Sequence, residues 1–171
     1  STRLANVLDP DDLRLVFSSI HRVVREVSRR HSGYIVRFVG DGAFVVFGYP
    51  AVQEDSAESA VRAGIDFVHS IRSVLAPPPA VLEMRVGIAS GTVVMGEMID
   101  GAAIDEQSVT GPVAHLAARL VSSAPPSGVV LCDQTRRLVG QRFELQSLGD
   151  LRLDGFPAPV TAWRASAELP S

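Results

Sequence analysis

Apolar positions in the first third of the chain follow two rhythms in succession. From residue 13 to residue 27 they recur at three- and four-residue spacing: Leu13, Val16, Phe17, Ile20, Val23, Val24 and Val27. That spacing predicts one helix with an apolar stripe. Asp9 is placed to cap its N-terminus, Pro10 suits its first turn, and Gly33 stands where a left-handed C-terminal residue belongs. The rhythm then shortens to apolar runs over 34–39 and 43–48, two strands around Gly40-Asp41-Gly42. A second helical pattern, "EDSAESAVRAGIDFVHSIRSVL", carries Ala57, Ala60, Val61 and Gly64 on one side, small residues suited to close packing on a sheet. "APPPA" ends it.

Beyond the prolines, "EMRVGIASGTVVMGEM" reads as two apolar strands meeting near Ser90-Gly91, and "IDGAAIDEQSVTG" as a loop or exposed hairpin arm. A helix over 111–123, a strand over 128–132, a short helix over 133–139 and strands over 142–148 and 159–165 complete the pattern. This order predicts an α+β domain with one antiparallel-rich sheet and helices on one face. A chain that opens on a helix in this pattern reads as if its first strand were missing. The start at Ser1-Thr2-Arg3 instead of a methionine fits a single domain, 1–171, excised from a longer protein.

Composition narrows the function classes. The chain has 171 residues, 46% of them hydrophobic and 20% charged, the profile of an ordinary globular domain. A net charge of −3 supplies no basic field for nucleic acid or acidic lipid, so an anionic ligand needs a local cluster of donors. The single cysteine, Cys132 in "GVVLCD", excludes an internal disulfide and reads as a small core residue. No run is long enough to span a membrane and no signal peptide is visible, which gives the expectation of a cytoplasmic domain without membrane contact.

The acidic corner in "RFVGDGAFVVF" has a purely local explanation. Asp-Gly between two strand-like runs is a strong hairpin signal, because both residues tolerate positive φ. Three longer blocks widen the question: "GYIVRFVGDGAFVVFGYP" (33–50), "RVGIASGTVVMGEM" (85–98) and "VTGPVAHLAARLVSSAPPSGVVLCDQT" (109–135). In this order and spacing they resemble the catalytic domain of class III nucleotidyl cyclases, the adenylate/guanylate cyclase family. "FELQSLGDLRLDGFPAPVTAWRA" resembles that domain's closing strands, so the likeness covers nearly the whole chain. The resemblance implies a ferredoxin-like βαββαβ core whose first strand is absent from this sequence. It also implies conversion of a nucleoside triphosphate to a 3′,5′-cyclic nucleotide and pyrophosphate. The active sites would be shared across a homodimer or a pairing with a paralogous cyclase domain, with fused regulatory domains. Two Mg²⁺ or Mn²⁺ ions per site are implied, and hard oxygen ligands suit both.

Residue by residue, Asp41 matches the second metal-binding aspartate of that family, and the first would lie just before Ser1. Arg119 matches the arginine that holds the transition state, the alternative being a solvated arginine on an amphipathic helix. His115, one turn earlier, stands where the family usually has asparagine and is equally a structural histidine. Arg37 occupies the place of the purine-reading lysine of adenylate cyclases, and Ser108 that of its partner. Glutamate and cysteine, the guanine-reading pair, are missing there, which favours ATP, although arginine also pairs with the O6/N7 edge of guanine. Thr2 aligns with the end of the phosphate-binding turn or is a frayed terminus. Asp154 falls where active members often carry a lysine, leaving open a cyclase-like regulatory module without turnover.

Overall fold

The computed structural model describes residues 8–74, 82–95, 98–99, 103–104 and 109–170. Helix α1 (Pro10–Arg30) begins as its sequence requires: the Asp9 carboxylate accepts the Asp12 backbone N–H at 2.9 Å, and Pro10 opens the helix. Its end differs from expectation. His31 is the C-cap and Ser32, not Gly33, takes the left-handed conformation, at φ 60°. Gly33 is already the first residue of strand β1 (Gly33–Val39), where a Cβ would come within 2.8 Å of Val45 on the neighbouring strand β2 (Gly42–Phe47). The glycine serves cross-strand packing, not helix termination.

Helix α2 (Ser56–Ser70) is shorter than its pattern and closes in a 3₁₀ turn, Ile71–Ser73. Its small residues do what their size suggests: at Gly64 a Cβ would lie 3.0 Å from Val129 and 3.3 Å from Ile88. Next come strands β3 (Val86–Ile88), β4 (Val94–Met95), β5 (Met98–Ile99), β6 (Ala103–Ile104) and β7 (Val109–Thr110). β3 and β4 do not pair with each other; β4 pairs with β7, while β5 and β6 form the expected hairpin arm. Helix α3 (Pro112–Ser123), strand β8 (Val129–Cys132), helix α4 (Asp133–Val139) and strands β9 (Phe143–Leu151) and β10 (Val160–Glu168) follow.

The four-stranded sheet has the order β3-β8-β10-β9, with β3 and β8 parallel and the other pairs antiparallel. Helices cover both of its faces, not one. Val129 and Leu131 pack in a cluster with Val61 and Val68 of α2, whereas Val130 and Cys132 pack with Leu120 of α3. Alternate residues of a strand face opposite ways, so the unbroken apolar run "VVLC" is what burial on both faces demands. All four of its residues are buried, Cys132 among them.

The β1–β2 hairpin stands apart from this sheet. It leans on α1 and α2 through Ile35, Phe38, Val45 and Phe47, which pack against a cluster built on Val16, Ile20, Val24 and Phe67. Among the described residues, β2 pairs with β1 alone and β3 with β8 alone. Between them runs a slot of about 780 Å³, with Phe44 and Val46 of the hairpin on one side and Val86 and Ile88 on the other. Ile20 and Val24 of α1 and Ala117 of α3 also border it.

Candidate active site

The hairpin presents its acidic residue at a two-residue corner. Val39 pairs with Gly42, which leaves Gly40 and Asp41 as the turn. Gly40 has φ 59°, a region that costs any residue with a Cβ, and Asp41 is spared it. Gly at the first central position is the signature of a type II′ corner, whose twist suits a hairpin. Asp41 is half-buried and borders one end of the slot. The corner is also held from below: the ring of His21 on α1 places Nε2 2.8 Å from the Gly40 carbonyl oxygen.

Arg37 sits on the same hairpin next to a register shift between Ile35 and Arg37. It is exposed, and its guanidinium carbon lies 5.2 Å from the centroid of the Phe44 ring, its cross-strand partner. A cation over an aromatic face is held in place without being neutralised.

Helix α3 carries the other two candidates. Arg119 is half-buried, and its Nε is buried with no hydrogen-bond partner among the described residues. A buried donor left unmatched costs free energy, and the Ser28 Oγ of α1 is left in the same state. His115 is exposed and stacks on Phe156, ring centroids 5.2 Å apart, with Gly155 beneath its Nε2. That contact ties α3 to the turn between β9 and β10, the turn that also carries the exposed Asp154. Of the described candidates, Asp41 borders the slot while Arg37, His115 and Arg119 do not. Thr2 and Ser108 lie outside the described residues.

The oxygen donor of Asp41 is of the kind that Mg²⁺ and Mn²⁺ prefer. A single carboxylate does not hold such an ion, and no group of three or more His, Cys, Asp or Glu suited to a metal occurs among the described residues. These residues alone therefore make an incomplete site. Nor is any helix among them long and apolar enough to cross a membrane.

His21 was invisible in the sequence, because one histidine beside an apolar stripe carries no signal until the hairpin is known to pack over it. Phe156 was missed for a similar reason, its role depending on a turn more than thirty residues from His115.

The adenylate and guanylate cyclase catalytic domain family matches residues 1–165. An uncharacterized protein of Rhizobium meliloti is 30% identical over 168 residues, which make up 96% of this chain but 16% of that protein. The chain thus spans a small part of that relative's length. Among solved structures, the guanylate cyclase domain of RhGC from Catenaria anguillulae, in complex with GTP, superposes with a TM-score of 0.88 at 21% identity, covering 98% of this chain and 91% of that one. The adenylyl cyclase CyaB from P. aeruginosa gives 0.84 at 24% identity, covering 96% and 87%. Both likenesses concern the fold, which is α+β as the element pattern required.

Proposed function

The chain belongs to the adenylate and guanylate cyclase catalytic domain family, and on that premise we propose that it converts ATP to 3′,5′-cyclic AMP and pyrophosphate in sites shared between two copies. In this reaction the ribose 3′-oxygen attacks the α-phosphorus and loses its proton. The bond from that phosphorus to the pyrophosphate oxygen breaks. Negative charge gathers on the α-phosphoryl and leaving-group oxygens, and catalysis consists mainly of meeting it with fixed positive donors.

The observation that carries the reading is the unmatched, buried Nε of Arg119. A guanidinium is charged at every working pH and offers several donors in a rigid fork, so it suits an α-phosphoryl oxygen. Arg37 and Ser108 are assigned to the purine edge, Arg37 held over Phe44 and Ser108 able both to donate and to accept. Thr2 is assigned to the triphosphate, and His115 to a supporting place one turn from Arg119.

Asp41 is assigned as one ligand of the divalent cations, which when bound neutralise the triphosphate and lower the pKa of the attacking hydroxyl. Its second carboxylate partner is assigned to a strand laid in the slot. Such a strand would pair with β2 on one side and β3 on the other, and its end would come beside Asp41. That would also unite the hairpin with the four-stranded sheet.

With the full-length protein, ATP and Mn²⁺, cyclic AMP should form faster than cyclic GMP forms from GTP. Asp41→Ala and Arg119→Ala should each lower turnover by at least about a hundredfold, the range of one lost electrostatic stabiliser. Unchanged turnover in both variants would overturn the assignment. The alternative of a regulatory module draws on the stacked His115 and the anionic Asp154; ATP binding by calorimetry with no cyclic product under either metal would favour it.

A further inference from the structure

The corner that carries Asp41 has little packing of its own. Gly40, Gly42 and Ala43 are exposed, and a glycine on each side of the aspartate leaves the local backbone weakly restrained. One side chain that restrains it stands on α1, twenty positions before Asp41. The His21 ring lies 4.2 Å from the Phe38 ring, centroid to centroid, at an interplanar angle of 31°, and its Nε2 lies 2.8 Å from the Gly40 carbonyl oxygen. With Nε2 protonated, His21 donates to that carbonyl. Arg25, one turn further along α1, places its guanidinium carbon 5.2 Å from the same Phe38 ring. The imidazole is thus flanked by an aromatic wall on the hairpin and has one polar atom aimed at the corner.

The bonded carbonyl is not an arbitrary one. The Gly40 C=O and the Asp41 N–H belong to one planar peptide unit. Holding the carbonyl restrains that plane, and with it the N–Cα bond of Asp41 from which the side chain departs.

We infer that His21 is a positioning residue: its hydrogen bond to the Gly40 carbonyl sets the orientation of the Asp41 carboxylate toward a bound divalent cation. This rests on the reading of Asp41 as a metal ligand. Groups that orient ligands typically contribute ten- to a hundredfold in metal affinity, and His21 would do so through the backbone without touching the ion.

The test compares His21→Phe, which keeps a ring against Phe38 but cannot donate, with His21→Gln, which restores a donor. It uses the full-length protein. Mn²⁺ binding by calorimetry in the presence of a non-hydrolysable ATP analogue should weaken about tenfold in His21→Phe and recover at least in part in His21→Gln. Amide hydrogen exchange at Asp41 and Gly42 should speed up in His21→Phe while the melting temperature stays within a few degrees of wild type. Wild-type Mn²⁺ affinity and corner exchange in His21→Phe would overturn the inference. Failure of the underlying reading has a separate signature: Asp41→Ala would then bind Mn²⁺ as wild type does, whatever His21→Phe shows.

Discussion

The four-stranded sheet and the β1–β2 hairpin use similar apolar runs to opposite ends. In the sheet, β8 is buried along its whole length, between α2 on one face and α3 on the other. In the hairpin only Val36 is fully buried, and the β2 edge looks into a slot. The sheet half therefore holds most of the molecule's cooperative packing. The hairpin half holds Asp41 and Arg37, on a corner and a surface that a ligand can reach. The candidate chemistry is divided as well: Asp41 and Arg37 stand on the hairpin, while Arg119 and His115 stand on α3, which packs on the sheet through Leu120.

Truncation in the two halves gives the sharpest test of that difference in packing. Leu131, fully buried in β8, should lose about 2 to 5 kcal/mol on change to alanine, the range for a leucine cavity in a core. Val45→Ala, at a half-buried site on the hairpin, should cost about 1 kcal/mol. Equal losses in chemical denaturation would remove the distinction. Gly40→Ala comes next: nothing crowds a Cβ there, so the expected cost of about 1 to 2 kcal/mol is the price of φ 59° alone. It should disturb the corner while leaving the sheet's hydrogen-exchange protection intact.

The smallest effect concerns the seam between α1 and α2. Burial opposes ionisation of Asp66, but hydrogen bonds from His31, Ser70 and Arg30 outweigh it and hold its carboxyl below the ordinary value of 3.8. A depressed pKa in the folded state stabilises the protein above the unfolded value, and that stability disappears as pH falls through the folded value. Asp66→Asn should therefore cost about 1 kcal/mol near neutral pH. The difference should shrink toward zero as melting is followed below about pH 3.8.

Much of this was legible in the residues. Asp9-Pro10 announced the start of α1, because capping is local; Asp41-Gly42 announced the hairpin but not its corner, which falls one residue earlier, at Gly40-Asp41. "VVLC" announced a buried strand, but not that helices would cover both of its faces, since burial is set by partners far along the chain. Gly33 misled because a glycine after a helix serves cap and strand equally well, and only the nearness of Val45 decides between them. Of the candidate site, Asp41 and Arg119 could be named from motif position. The unmatched Arg119 Nε, the His115–Phe156 stack and the His21 bond emerge only when distant elements meet.

The Asp66 cluster has a mechanical side. At one end of the hairpin, Arg30 and His31 pin the close of α1 to Asp66 of α2. At the other, His21 ties the middle of α1 to Gly40. Seven residues of β1 separate these two moorings, a span roughly 20 Å long at strand rise. Helix α1 and the hairpin are thus fastened to each other at one end of β1 and to α2 at the other, so the carboxylate at the tip is braced from both ends of the strand that carries it.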